Sequence, residues 1–254
     1  MTTAKEPTKG YLIVASKLRT FLASAFNLIE SIKDYDPEAK IALFTEQHWI
    51  DENNYPFDEL EYVFPCGDWF REKLTGIANS PFDITFYIDA DCEVVHPDIT
   101  KVFDHIEGHD MVFVELLKEQ SRHFTEFDWD NGKEWLRHCG GVCLYDMRNP
   151  LVKSFMQDWR DVYEKQDGQK WWPDDSIPRS LSRWDQFTLW WLIYKEPKYQ
   201  DLKIKFFEDN YRWNYFTSFG FNPDGTHNYG VKDPVVIHYS AWMDKDGRKG
   251  LLNL

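Results

Sequence analysis

Cysteine is scarce in this chain of 254 residues: there are four, Cys66, Cys92, Cys139 and Cys143, and no two of them form a CxxC pair. That excludes a disulfide scaffold and the usual zinc-ribbon or dithiol centres, and it suits free thiols in a reducing compartment. Long apolar runs are also missing. Nothing approaches the ~18 to 20 residues of a membrane span, and the polar stretch Met1 to Lys9 has no signal-peptide core, so a soluble, cytoplasmic protein with no membrane segment is expected. Positive charge is in short supply: 29 Lys and Arg face 43 Asp and Glu, for a net charge of −14. A general affinity for nucleic-acid backbones or anionic lipid is thereby disfavoured, because such binding starts from a basic field. Neither GxGxxG nor GxxxxGK[ST] occurs, which removes the dinucleotide fingerprint and the Walker-type phosphate loop.

Aromatic residues are abundant, at 17%, and nine of the 12 Trp fall between Trp129 and Trp213. A disordered chain would be depleted in them. The length suits one large domain. Trp159, Trp190 and Trp191 fall on helix stripes and read as core. Trp129, Trp135, Trp171, Trp172, Trp213 and Trp242 read as loop residues, where a flat apolar face with a polar N–H suits a sugar ring or another flat ligand.

Periodicity gives an α/β fold. Gly10 to Ser16 (GYLIVAS) is a short apolar run of the kind buried on both faces of a parallel sheet. Leu18, Phe21, Leu22, Ala25, Phe26, Ile29 and Ile32 then recur at helical spacing, and Lys40 to Thr45 is a second buried strand. Strand, helix, strand at this pitch is a βαβ unit, which implies a mainly parallel central sheet flanked by helices. The pattern continues with a helix over about Asp68 to Asn79, the run Ile84 to Ile88, an amphipathic stretch Ile99, Val102, Phe103, Ile106, and a strand Met111 to Val114. Residues 10–115 read as an α/β nucleotide-binding half of a single domain, and residues 116–254 as its less regular second half. In the second half, Gly141 to Tyr145 is a strand, and Leu151 to Tyr163 carries a helix stripe. Phe187 to Tyr194 is a helix, and Val235 to Ile237 a strand. The long intervening loops, 115–137, 166–183 and 210–230, point to function.

Four apolar residues run straight into Asp89-Ala90-Asp91. In extended chain, residues i and i+2 face the same way, so both carboxylates can converge at the carboxyl edge of the sheet, where open α/β folds bind ligands. Two hard oxygen donors there suit Mg²⁺ or Mn²⁺ shared with a substrate diphosphate, although a bare DxD is also a common solvated loop. His238 follows the strand Val235 to Ile237 in the equivalent place and offers an imidazole as third ligand, or a structural His. Asp185-Gln186 opens an aromatic helix, and Asp185 reads either as a site carboxylate or as an N-cap.

Together these residues resemble a GT-A type glycosyltransferase, most closely the glycogenin and galactosyltransferase group of family 8. The matching stretches are Tyr87 to Val94 for the DxD strand, Gly141-Val142-Cys143-Leu144-Tyr145 for the Gly-Val-x-x-Tyr strand, Asp185-Gln186 for the Asp-Gln pair, and His238-Tyr239 for the C-terminal His motif. They occur in the family's order.

The resemblance implies a Rossmann-like GT-A domain and a metal-dependent transfer of sugar from a nucleoside-diphosphate donor, UDP-linked, with retention of anomeric configuration. It implies Asp89, Asp91 and His238 as ligands of Mn²⁺ or Mg²⁺, and Ala15 and Ser16 at the nucleoside. Lys73 or Arg71 would hold the donor, with Ala90, Gly140 and Gly141 lining it and Asp185 and Gln186 at the reacting sugar. In the C-terminal motif Lys is expected six residues after His; here position 244 is Asp, so Lys245 or Lys249 stands in. Cys139-Gly140 replaces a polar pair such as Asn-Ser, so the donor sugar is expected to differ from the group's usual glucose or galactose. An inverting enzyme would instead need a carboxylate base, for which Glu115, Asp174 and Asp175 are available. The acceptor, for which residues 116–254 would be the binding half, would be a glycan, a protein, a small molecule or, against the acidic charge, a modified nucleobase. The competing readings are a sugar-phosphate nucleotidyltransferase, whose Gly-rich loop is missing from Gly10 to Thr20, and a non-catalytic carbohydrate- or nucleotide-binding protein of the same fold.

Overall fold

A computed structural model describes residues 6–115, 138–175, 177, 179–216 and 233–239. The first strand, β1 (Lys9–Ala15), alternates its side chains between two cores, as a strand buried on both faces must. Tyr11, Ile13 and Ala15 enter one core with Leu22, Phe26 and Ile29 of α1 (Arg19–Tyr35). Leu12 and Val14 enter the other, against Leu74 and Ile77 of α3 (Glu72–Ala78) and Phe155 and Trp159 of α4 (Pro150–Asp167). Leu18, expected on the α1 stripe, precedes the helix as its N-cap and is 45% exposed.

The remaining strands of the main sheet are β2 (Ile41–Glu46), β3 (Tyr62–Cys66), β4 (Ile84–Ile88), β6 (Met111–Glu115), β7 (His138–Asp146) and β8 (Ile204–Phe206), in the order β3-β2-β1-β4-β7-β6-β8. Only β7 runs against its neighbours β4 and β6; the other pairings are parallel. The mainly parallel sheet expected from the apolar runs is therefore present, with elements of both halves of the chain in it.

A small second sheet matters more for the site. Here β10 (Val236–His238) pairs antiparallel with β5 (Cys92–Val94) and parallel with β9 (Tyr215–Phe216). The register His238 opposite Cys92, with Tyr239 N–H donating to the Asp91 carbonyl, brings the late His motif to the DxD turn.

Several boundaries differ from the sequence expectation. The helix anticipated from Asp68 begins at Glu72, because Trp69 to Arg71 form the turn that precedes it. The short α2 (Gln47–Glu52) and the strand β3 were not anticipated: β3 is an edge strand containing Pro65, only half-buried, and its alternation is weak. The stretch Pro97–Ile106 forms 3-10 turns that bury the four expected apolar residues. The helix α4 runs to Asp167, so Gln166 belongs to its buried face rather than to a loop. Trp213 is 3% exposed and stacks on Phe207, so it is a core residue and not an open loop platform. Among the described residues no helix is long and apolar enough to cross a membrane.

Candidate active site

The carboxyl ends of β1 and β4 open into a cavity of about 300 Å³ whose walls include Ser16, Arg71, Lys73, Asp89, Asp91, Asp185, Gln186 and His238. This is the place where an α/β sheet binds ligands. Ala90 also lines it. The Ala15 side chain does not; it packs into the α1 core, and Val14 and Ser16 supply the wall there. Phe21 and the 52% exposed Phe70 form an edge-to-face pair on the same wall, a feature that sequence reasoning missed. Lys245, Lys249, Trp129, Trp135 and Trp242 lie outside the described residues.

On one side of the cavity, His238 Nε2 lies 3.1 Å from Asp91 Oδ1 and 4.0 Å from Asp89 Oδ2. Tyr87 donates its hydroxyl proton to Asp89 Oδ1, and the Asp89 N–H donates to the Gly141 carbonyl, so the first aspartate is fixed from two strands. Burial pushes the Asp89 carboxyl above its ordinary range, more than Lys73 and His238 pull it down. For His238, burial alone would lower the pKa, but Asp91 outweighs burial and raises it. Two carboxylates and an imidazole thus converge at a place where burial disfavours the charged form of Asp89.

The donor set of two carboxylates and one imidazole fits a divalent cation such as Mn²⁺ or Mg²⁺. Gly141 gives structural support. A Cβ at that position would sit 2.5 Å from Asp89 Oδ2 and 3.1 Å from His238 Cε1, so only glycine lets β7 close against the cluster. The Cys92 sulfur is also within ligand distance of Asp91 and His238, yet Cys92 is fully buried in the α1 core and does not line the cavity. Asp89, in contrast, lines the cavity.

The other side of the cavity has its own counterions. Asp185, 1% exposed, lies 3.2 Å from Lys73 Nζ and 3.5 Å from Arg71 Nε. Burial works against its charge, but Lys73 and Arg71 outweigh it and hold the carboxyl below the ordinary range. Lys73 also lies 3.7 Å from Asp89 and donates to the Gly140 carbonyl at 3.3 Å. Its charged form is favoured because Asp185 and Asp89 overcome burial. Gly76, one turn further along α3, permits this placement: a Cβ there would lie 2.4 Å from Val14, so its absence lets α3 press onto β1.

Asp185 is the first residue of α5 (Asp185–Tyr194), after the N-cap Trp184, so it is not the cap that its position suggested. One face of α4 holds the segment that delivers it. Trp159 Nε1–H donates to the Asp185 carbonyl, Tyr163 O–H to that of Arg183, and the Gln166 amide to those of Ser182 and Trp184. These three residues share one helix stripe, and Gln166 was the member hidden by its polarity. Next to Asp185, Gln186 Oε1 is buried with no hydrogen-bond partner. A buried acceptor in that state costs free energy unless a ligand supplies a donor or a positive charge.

Trp171 and Trp172 are half-buried against the apolar cluster of Leu181, Phe187 and Trp190, away from this cavity. Glu115, Asp174 and Asp175 do not line the cavity, and Asp174 and Asp175 lie in an exposed loop.

The architecture is the GT-A fold of glycosyltransferases, a mostly parallel seven-stranded sheet flanked by helices with the cavity at its carboxyl edge. No protein-family profile and no curated protein sequence matches the chain. Solved structures do. The apo-form glycosyltransferase GlyE of Streptococcus pneumoniae TIGR4 superposes with a TM-score of 0.58 at 16% identity, covering 97% of this chain and 60% of GlyE; the chain thus spans less than two thirds of that protein. The galactosyltransferase LgtC, solved with donor and acceptor sugar analogues, gives 0.54 at 12% identity over 96% of this chain and 93% of its own. Mouse xyloside xylosyltransferase 1 gives 0.54 at 12% identity over 94% and 99%. At these identities the likeness establishes the fold.

Proposed function

We propose that this protein is a metal-dependent, retaining glycosyltransferase that moves a sugar from a nucleoside-diphosphate donor, UDP-linked, to an acceptor hydroxyl. The observation that carries the reading is one cavity in which the carboxylate–imidazole cluster of Asp89, Asp91 and His238 faces Asp185 with its two cations, Arg71 and Lys73, and the unpartnered Gln186 oxygen lies beside them. The GT-A fold shared with GlyE, LgtC and the xylosyltransferase supports it.

The chemistry follows from where charge develops. Breaking the bond between an anomeric carbon and a diphosphate leaves negative charge on phosphate oxygen and positive charge on the sugar. A divalent cation, Mn²⁺ or Mg²⁺, held by Asp89, Asp91 and His238 would neutralise the diphosphate as a Lewis acid. Lys73 and Arg71 add fixed positive charge that needs no reorganisation. Asp185, kept ionised by those two cations, accepts hydrogen bonds from the donor sugar's hydroxyls and holds the ring. Gln186 Oε1 presents a partial negative charge to the developing cationic carbon.

Retention is favoured by the carboxylate inventory. Among the described residues, Asp89, Asp91 and Asp185 are the only carboxylates lining the cavity, and each is committed to a cation or a hydrogen bond. With no uncommitted carboxylate among the described lining residues, the leaving phosphate oxygen is the group proposed to take the acceptor's proton. Phe21, Phe70 and Ser16 form the wall suited to the flat nucleobase, and Ala90 lines the part proposed for the donor sugar and diphosphate, with the buried Gly140 and Gly141 behind Asp185 and Asp89. Trp184, on the wall beside Asp185, is an apolar face for an acceptor sugar, with Lys245 and Lys249 proposed as further diphosphate contacts.

A panel of nucleotide sugars with and without Mn²⁺ tests the reading, following thermal stabilisation and release of nucleoside diphosphate. One donor should stand out and depend on the metal. NMR of the product anomer should show retention; an inverted product overturns that part. Nucleotide binding without turnover for any donor would favour the non-catalytic alternative.

A further inference from the structure

We propose that Asn214 fixes the His238 imidazole in the tautomer that carries its proton on Nδ1, so that Nε2 presents a bare lone pair to the divalent cation; the inference rests on the metal site proposed above. Asn214 is fully buried, and its Oδ1 lies 2.9 Å from His238 Nδ1. Its amide Nδ2 donates to the Cys139 sulfur at 3.1 Å, which holds Oδ1 toward the ring. That sulfur also accepts the Gly141 N–H at 3.4 Å, tying Asn214 to the glycine that closes on Asp89. Cys139 is buried and its thiol is pushed up to about 11 by that burial, so the sulfur is a neutral acceptor.

The backbone presents Asn214 with little freedom. It sits between the buried Trp213 and Tyr215, and Tyr215 and Phe216 pair in register with Ile237 and His238. Phe216 stacks on the imidazole, with ring centroids 4.4 Å apart and planes 22° from parallel. Phe216 therefore holds the plane of the ring and Asn214 selects which nitrogen keeps the proton. Without an acceptor at Nδ1, imidazole favours its proton on Nε2, the position the cation needs. An outer hydrogen bond to a metal-bound His of this kind is worth about 10- to 100-fold in metal affinity.

Asn214 is thus a positioning residue, and its test is Mn²⁺ affinity rather than turnover. Free Mn²⁺ is counted by its EPR signal in titrations of the full chain without nucleotide. Asn214→Ala should weaken Mn²⁺ binding by about 10- to 100-fold. Asn214→Asp, which keeps an acceptor at Nδ1, should bind at least as tightly as the parent. An Asn214→Ala affinity within twofold of the parent, or Asn214→Asp as weak as Asn214→Ala, overturns the proposal. If Asn214→Ala fails to fold, Cys139→Val replaces it: it releases the amide, so a loss of affinity is expected and parental affinity overturns the proposal. A parent that binds no Mn²⁺ sinks the metal site itself, whereas a tight parent with a tight Asn214→Ala sinks only this inference.

Discussion

Two carboxylates that line the same cavity, Asp89 and Asp185, are treated in opposite ways. Asp185 is almost wholly buried yet held below the ordinary carboxylate range, because Lys73 and Arg71 stand against it. Asp89 is more exposed yet raised, because burial and Asp91 outweigh what Lys73 and His238 supply. The difference teaches how one cavity prepares two functions. One carboxylate is held ionised by counterions within the fold, while the other sits in the cluster proposed to take a divalent cation.

The sharpest way to break this contrast is activity with a binding readout. Asp89→Asn and Asp185→Asn should each cut transfer on the order of 10³-fold, but only Asp89→Asn should abolish the Mn²⁺ dependence of nucleotide binding measured by calorimetry. Equal loss of metal response in both would erase the distinction.

Stability of the metal-free protein is the next test, and the two substitutions should move it in opposite directions. Asp185→Asn leaves Lys73 and Arg71 short of a partner and should cost about 3 kcal/mol, or roughly 6 to 12 °C in Tm. Asp89→Asn removes a charge whose burial is unfavourable and should raise Tm. The pH dependence has a definite sign. Stability contributed by Asp185 is complete above its unfolded pKa of about 3.9 and is lost as pH falls through the lower folded value. The Tm gap between the parent and Asp185→Asn should therefore close in acid.

Gly141→Ala probes the Asp89 side of the cavity without removing a charge. Its Cβ would meet Asp89 Oδ2 at 2.5 Å, and relieving that contact should cost about 1 to 3 kcal/mol, seen as weaker Mn²⁺ binding. Parental Mn²⁺ affinity in this variant would show that the cluster does not depend on the close approach of β7.

The smallest expected effect lies away from both charged clusters. Phe70→Ala should weaken UDP binding by about 1 kcal/mol while leaving Mn²⁺-pyrophosphate binding unchanged. A parallel loss for pyrophosphate would place Phe70 in the charged part of the cavity instead.

Much of the first half was legible in the sequence because a strand buried on both faces must be a continuous apolar run, as in β1 and β4, and a packed helix must show a stripe, as in α1. The DxD pair was legible for the same local reason, since it interrupts such a run. What escaped were elements and residues whose character is set by distant partners. The edge strand β3 lacks a fully buried face, and Trp213 looked like a loop residue until Phe207 was seen to cover it. Gln166 and Asn214 are fully buried polar residues whose role is defined by backbone carbonyls, a thiol and an imidazole far along the chain.

By itself, the sequence determined the periodic elements, the mainly parallel sheet and the candidate residues Asp89, Asp91, Asp185, Gln186 and His238. Only the tertiary structure decided which of them meet: the β5–β10 register brings His238 to Asp91, and α3 pressed onto β1 at Gly76 aims Lys73 between Asp89 and Asp185. The reason is physical. Burial periodicity is a local property of the chain, whereas the charge state and hydrogen-bond partner of a side chain depend on what strand register and helix packing bring within a few ångströms of it.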